Sequence, residues 1–211
     1  MNGAFETYRF GDPEADIVLF QPVDDHDLAG VENEVSLIAA NCGKNFHLIA
    51  VRVDNWNTDL SPWKAPAMFG KEDFGEGADE TLAEILKLCA DKGKKYYIGG
   101  YSLAGLFAMW AAYRTELFKG VAAASPSVWF PGFSDYMKEN EIRTGTVYLS
   151  LGDREEKARN PVMATVGDRI REAYALLCEQ GVKCVLEWNE GNHFKDFDVR
   201  TAKAFSWVIK E

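Results

Sequence analysis

The sequence predicts an α/β fold with a mostly parallel central sheet and helices on both faces. Short apolar runs rich in β-branched and aromatic residues recur along the chain, and segments with helical spacing separate them. This alternation favours parallel strands joined by helices. The 211 residues, 47% hydrophobic and 27% charged, have the composition of an ordinary globular domain. No linker divides the chain, so we expect a single domain over residues 1–211.

Six segments are predicted to form strands because they are short, apolar and bounded by turn residues. They are residues 16–20, 46–53, 95–100, 120–124, 146–151 and 182–188. The strongest helical periodicity lies between Asn160, a predicted N-cap followed by Pro161, and Gly181 beyond the helix end. Further helices are predicted over residues 27–40, 79–90 and 103–113, with a C-terminal helix after residue 193.

A long segment without periodicity, residues 54–77, follows the strand 46–53. Ligands of α/β proteins bind beyond the carboxyl ends of the strands, and long loops in compact domains are often functional. We therefore expect this loop to border the functional site. Its large apolar residues are Trp56, Trp63, Met68, Phe69 and Phe74.

The formal net charge is −10, from 23 Lys and Arg against 33 Asp and Glu. An acidic surface repels phosphate backbones and anionic lipids, so neither nucleic acid nor a membrane is an expected partner. Residues 1–10 lack the pattern of a signal peptide, and the longest apolar run is too short to span a bilayer. These observations predict a cytoplasmic protein.

The four cysteines form no C-x-x-C pair, and we expect them to be reduced packing residues. Neither a metal nor a cofactor is expected. The cysteines are Cys42, Cys89, Cys178 and Cys184.

The sharpest local signal is the segment 99–105, GGYSLAG, between a predicted strand and a predicted helix. A serine on such a tight turn is exposed at the carboxyl edge of the sheet, as in a nucleophile elbow. Ala104 stands where G-x-S-x-G has its second glycine, and Gly105 follows. The alternatives are a glycine-rich turn with an idle Ser102 or a phosphate loop, although the turn lacks a lysine and a dinucleotide glycine spacing.

A serine nucleophile needs a base, and the chain has three histidines. His47 alternates with apolar residues in a predicted strand, which indicates a structural role. His26 lies among aspartates at a predicted helix start, where a solvated position is expected. His193 lies just beyond the last predicted strand, at the same sheet edge as Ser102, and is therefore the candidate base.

The third member of a triad would be an acid that orients the imidazole. Asp153, Glu155 and Glu156 follow Gly152 at the end of the strand 146–151. The order serine, acid, histidine at successive strand ends is that of α/β-hydrolases. Periodicity does not choose between residues 153 and 155, which have the same parity.

With these motifs the sequence resembles esterases of the α/β-hydrolase superfamily, a group with esterase D-like, feruloyl-esterase-like and siderophore-esterase-like members. The resemblance covers roughly residues 16–211 and includes a loop, 59–63, similar to that of a bacterial subgroup of small esterases. It departs from the family at Ala104 and at Gln21-Pro22, where many relatives have His-Gly. The matching segments are 100–105, 125–129 (SPSVW), the Gly152 turn and 191–193 (GNH).

The resemblance implies an α/β-hydrolase fold and hydrolysis of a small-molecule carboxylic ester without a cofactor. Ser102 would be the nucleophile, His193 the base and Glu155 the acid, since relatives place the acid three residues after this glycine. An acyltransferase or thioesterase with the same triad, or a catalytically silent binding protein, are the alternatives.

Two further sets of residues are expected at the site. Backbone N–H groups of Leu103 and of Val23 would bind the oxyanion, Val23 being chosen because Pro22 has no N–H. Trp63 and Trp129 are expected to line the substrate pocket, with packing as the alternative role.

Overall fold

The structure is a computed structural model that describes residues 5–68 and 70–211. Its centre is a seven-stranded sheet with the order β1-β3-β2-β4-β5-β6-β7. The first strand pairs antiparallel with the third, and the other neighbours are parallel. The strands are β1 Glu6–Gly11, β2 Ile17–Val23, β3 His47–Arg52, β4 Lys95–Tyr101, β5 Phe118–Ala124, β6 Thr146–Gly152 and β7 Lys183–Asn189.

Helices connect the parallel strands. They are α1 Asp25–Leu28, α2 Val31–Cys42, α3 Trp56–Asp59, α4 Ala78–Lys87, α5 Leu103–Arg114, α6 Phe133–Glu139, α7 Val166–Glu179 and α8 Phe197–Val208. Short 3₁₀ helices lie at Glu155–Lys157 and Met163–Thr165. Within the described ranges no helix has the length and apolar character needed to cross a membrane.

Two hydrophobic cores lie on opposite faces of the sheet, because successive strand residues point to opposite sides. Val18 and Phe20 belong to the core that includes α4, α5 and α7, whereas Leu19 belongs to the core beneath α2 and α8. Helix α5 is buried from Leu103 to Tyr113, which explains its nearly continuous apolar sequence. The predicted fold class, a mostly parallel sheet with helices on both faces, is confirmed.

The local predictions differ from the structure in several places. The sequence does not predict strand β1, because it is a half-exposed edge strand without a continuous apolar run. The helix expected over 27–40 is divided into α1 and α2. The Asn160 side-chain oxygen accepts the N–H groups of Val162 (2.9 Å) and Met163 (3.3 Å), so it caps the 3₁₀ turn, and α7 begins only at Val166.

The loop 54–77 is more ordered than its sequence suggests. It contains the short helix α3 and an antiparallel bridge between Ala65 and Phe74. Phe69, one of the aromatic residues noted in this loop, lies outside the described residues.

Candidate active site

Ser102 occupies the sharp turn between β4 and α5. Its φ of 56° is in the left-handed region, which costs about 1–3 kcal/mol for a residue with a side chain. Three backbone hydrogen bonds hold it there. The Ser102 N–H donates to the Ala124 carbonyl (3.1 Å), and the Ser102 carbonyl accepts from Leu106 (3.1 Å) and Ser127 (3.0 Å). A strained serine fixed in this way at the carboxyl edge of a sheet has the geometry of a nucleophile elbow.

The structure explains why alanine is tolerated at position 104. A Cβ on Gly100 would lie 2.6 Å from the Ala104 Cβ, so the methyl group fits only because residue 100 has no side chain. A Cβ on Gly105 would lie 3.0 Å from the Pro126 Cβ and 3.1 Å from the Gly100 carbonyl oxygen. The close approach of helix and strand is therefore provided by Gly105, one position later than in the usual motif.

His193 lies between Ser102 and Glu155. Its Nε2 is 3.0 Å from the Ser102 Oγ, and its Nδ1 is 2.7 Å from the Glu155 Oε2. In the neutral tautomer with a proton on Nδ1, the ring donates to Glu155 and accepts from the serine hydroxyl. This is the arrangement that a general base for a serine nucleophile requires.

The Glu155 carboxylate is buried and fully hydrogen-bonded. Its Oε1 accepts from the Gly152 N–H (2.7 Å), the Ser125 hydroxyl (2.8 Å) and the Arg200 Nη1 (3.1 Å). Burial raises the pKa of Glu155, but hydrogen bonds and charge from His193, with the bonds from Gly152 and Ser125, outweigh burial and hold the pKa below its usual value. The group is therefore ionised at neutral pH.

The other two acids of this turn have different partners. The Asp153 Oδ1 accepts the Gly191 N–H at 2.8 Å, which stabilises the loop before His193. Glu156 forms an ion pair with Arg171 at 2.9 Å. Of the three carboxylates that the sequence offered, the structure places that of Glu155 against His193.

The remaining histidines lie elsewhere. His26 is exposed in α1, with its ring against Phe197. His47 is at the beginning of β3, and burial lowers its pKa. These are the solvated and the structural positions expected from the sequence.

A cavity of about 570 Å³ opens beside Ser102. The loop 54–77 contributes Trp56, Asn57 and Phe74 to its wall, as expected of a loop that borders the site. The Ser127 hydroxyl, also in the wall, is 3.4 Å from the Ser102 Oγ. Most of the lining is apolar or aromatic and includes Trp56, Phe74, Trp129, Leu151, Met163, Val166 and Phe194.

The two tryptophans expected in the pocket differ. Trp129 lies in the cavity wall and packs against Phe74. Trp63 lies outside the lining formed by the described residues, which corrects the sequence-based expectation. Its indole N–H donates to the Pro131 carbonyl at 2.8 Å and its ring packs against Phe130, so the side chain attaches its loop to the segment after β5.

The two expected oxyanion donors also differ in position. Leu103 lines the cavity and is the first residue of α5, where backbone N–H groups have no partner within the helix. Val23 ends β2, and its side chain is buried in the core beneath α2 and α8. Among the described residues of the cavity wall, Leu103 is present and Val23 is not.

Sequence reasoning missed Arg200, a buried residue of α8. The guanidinium contacts Glu155, and its Nη1 also donates to the Tyr101 hydroxyl (3.0 Å) and the Ser125 hydroxyl (3.3 Å). A signal was present, because Arg200 lies at helical spacing between the apolar residues Phe197 and Ala204. A charged residue on the buried face of an amphipathic helix indicates a buried partner.

No protein-family model matches the chain, and no curated protein matches it significantly. The chain is similar to several solved structures. A siderophore hydrolase, EstA, from Aspergillus nidulans has a TM-score of 0.69 at 21% identity, with 94% of this chain and 84% of that chain covered. An IroE-like serine hydrolase from Shewanella oneidensis has a TM-score of 0.72 at 15% identity, with 96% and 79% covered. A Bacillus cereus carboxylesterase has a TM-score of 0.65 at 17% identity, with 99% and 95% covered.

These neighbours are hydrolases and esterases of the α/β-hydrolase type, and the chain has the α/β-hydrolase fold. The expected fold is thereby confirmed.

Proposed function

We propose that the protein is a serine hydrolase that cleaves small-molecule carboxylic esters through an acyl-enzyme intermediate. The observation behind the proposal is the position of His193, which reaches the Ser102 Oγ at 3.0 Å and the Glu155 Oε2 at 2.7 Å. The apolar cavity beside Ser102 offers space for the acyl or alcohol group. The fold, which this chain shares with named esterases, supports the same reaction class.

In the proposed mechanism the Ser102 Oγ attacks the acyl carbon while the His193 Nε2 takes the hydroxyl proton. The Leu103 N–H, at the beginning of α5, binds the oxyanion of the tetrahedral intermediate. His193 then gives its proton to the leaving alcohol, and water attacks the acyl-enzyme by the same route. Glu155 fixes the proton on Nδ1 and stabilises the imidazolium that forms. The reaction needs no group from outside the chain except water.

Substitution of Ser102 tests the proposal directly. We expect Ser102→Ala to lower the hydrolysis of p-nitrophenyl esters by at least about 10³, because triad members act as a unit. A fluorophosphonate probe is expected to label the wild type at Ser102, as located by peptide mass spectrometry. Circular dichroism checks that the variant is folded. A folded wild-type protein that neither reacts with the probe nor hydrolyses esters would refute the proposal and favour a binding role for the fold.

The matched pair His193→Ala and His26→Ala tests the base. His193→Ala is expected to cost about as much as loss of the serine, roughly 10³ or more. His26→Ala removes an exposed imidazole that packs on Phe197 and is expected to change the rate only slightly. Equal losses in two folded variants would show that the base is assigned wrongly.

A further inference from the structure

Arg200 is a buried cation for which the proposed reaction has no direct use. Its relative exposure is 1%, and it is among the largest fully buried side chains. A guanidinium has five N–H donors and is costly to bury unless they are paired. Here the two N–H groups of Nη1 share three acceptors, the Tyr101 and Ser125 hydroxyls and the Glu155 carboxylate. The two N–H groups of Nη2 donate to the backbone carbonyls of Glu190 (3.1 Å) and Asn192 (3.0 Å).

These contacts connect Arg200 to both the acid and the base. The link to Glu155 is an ion pair of 3.1 Å in which both side chains are buried. The links to His193 run through the backbone, because Asn192 directly precedes it. The Tyr101 hydroxyl adds a second path, since it accepts from Arg200 and donates to the His193 carbonyl at 2.7 Å.

The charge of Arg200 bears on the protonation of the triad. A buried carboxylate that faces only a histidine favours the imidazolium, and an imidazolium cannot accept the serine proton. A cation on the opposite oxygen of Glu155 offsets this effect. The Tyr101 phenol also lies beside Glu155 and Arg200, and its pKa is raised to about 12 chiefly by burial. The other titratable or charged groups around Glu155 and His193 lie at the surface and are Asp153, Arg154 and the Glu190–Lys195 ion pair.

We propose that Arg200 is a positioning residue that balances the charge of Glu155, so that the His193 imidazole can accept the Ser102 proton, and that also fixes the loop carrying His193. The catalytic consequence rests on the proposed ester hydrolysis, whereas the effect on imidazole protonation does not.

The test is the pH dependence of Arg200→Met. We expect the midpoint of the acidic limb of kcat/KM, and that of the His193 imidazole titration followed by NMR, to move up by about one pH unit or more. Glu155 and His193 are in direct contact at 2.7 Å, and loss of the Arg200 charge favours a proton on either of them, so the upward shift is expected whichever group takes it. The chain has three histidines, so the His193 signals are assignable by substituting the other two.

Lys203→Met is the matched control. Lys203 lies almost one turn further along α8, and its Nζ pairs with Glu187 (2.7 Å) and donates to Asn189 (3.1 Å). The control removes the same charge from the same helix without touching Glu155, and no shift in either midpoint is expected. Arg200→Lys keeps the charge but not the fork of hydrogen bonds, so it is expected to lower kcat while leaving the midpoints near those of the wild type.

The outcomes separate the alternatives. A folded Arg200→Met with a lower melting temperature but unchanged midpoints would overturn the proposal, because Arg200 would then act through packing alone. If Arg200→Met does not fold, a double variant with Glu155→Gln removes the carboxylate that has lost its cation. Recovery of the fold in the double variant supports the charge pairing between Arg200 and Glu155, and failure to recover the fold overturns the proposal. If the wild type hydrolyses no ester, the proposed function fails, while the NMR titration still tests Arg200.

Discussion

The hydrogen bonds around Glu155 determine how the amide of Glu155→Gln is oriented. The Oε1 position of Glu155 receives hydrogen bonds from the Gly152 N–H, the Ser125 hydroxyl and Arg200. In Glu155→Gln the amide oxygen therefore takes this position, since an amide NH₂ there would face three donors. The NH₂ group is then directed at the His193 Nδ1, 2.7 Å from the present Oε2.

A donor facing Nδ1 reverses the tautomer of the imidazole. Nδ1 must accept, so the proton resides on Nε2, which can no longer take the proton of Ser102 at 3.0 Å. The same tautomer error in a serine protease lowers kcat by about 10⁴. At about 1.36 kcal/mol per tenfold change, this corresponds to a loss of about 5.5 kcal/mol of transition-state stabilisation. We expect Glu155→Gln to show a loss of that order.

The assay is the kcat for a p-nitrophenyl ester, measured below the melting temperature because Arg200 loses its ionic partner in this variant. Asp153→Asn is the control: the amide oxygen can still accept the Gly191 N–H, so a near-normal rate is expected. A near-normal rate for Glu155→Gln beside a large loss for Asp153→Asn would refute both the assignment of the acid and the tautomer argument.

Two further predictions concern the cavity and the core beneath α2 and α8. Trp129 lies in the cavity wall, so Trp129→Ala is expected to change the ratio of the rates for short and bulky acyl esters. Trp63→Ala is expected to lower the melting temperature and to leave this ratio unchanged. The opposite pattern would place Trp63 at the substrate. Burial raises the pKa of Glu34 in the folded protein well above its usual value. The folding stability associated with the protonated carboxyl group is therefore fully present below the pKa of the unfolded state and is lost as the pH rises through the higher pKa of the folded state. The Gln21 Oε1 has no hydrogen-bond partner among the described residues, and the amide of Glu34→Gln can donate to it. This variant is therefore expected to raise the urea midpoint more at pH 8 than at pH 5, and equal changes would contradict the argument.

The buried parallel strands could be predicted because strands covered on both faces have nearly continuous apolar sequences. The prediction for residues 146–151 differs from β6, Thr146–Gly152, by one residue. Strand β1 is half-exposed at the sheet edge, where burial imposes no such pattern. Helix α3 has four residues, too few for a 3.6-residue period to be recognised.

The sequence predicts the parts of the candidate site in which a residue able to act as nucleophile or base follows the end of a strand, as Ser102 and His193 do. The acid could not be chosen from periodicity, because the chain leaves the strand at Gly152 and enters a 3₁₀ turn that directs Glu155 inwards. The position of Trp63 depends on the Pro131 carbonyl, 68 residues away in sequence, which no local pattern reveals. Only the resemblance to esterases favoured Glu155 in advance.

The order serine, acid, histidine follows from the way the strand ends are joined. Strands β4, β5, β6 and β7 are successive in the sheet as well as in the chain. One backbone hydrogen bond connects each end to the next: Ser102 N–H to Ala124 O (3.1 Å), Ser125 N–H to Ser150 O (3.0 Å) and Asp153 N–H to Asn189 O (2.8 Å). Backbone bonds depend little on side-chain identity, which agrees with a fold shared at 21% identity or less. Under the proposed function, the side chains whose identity matters are those of Ser102, Glu155 and His193 at this edge, together with Arg200, which reaches Glu155 from α8.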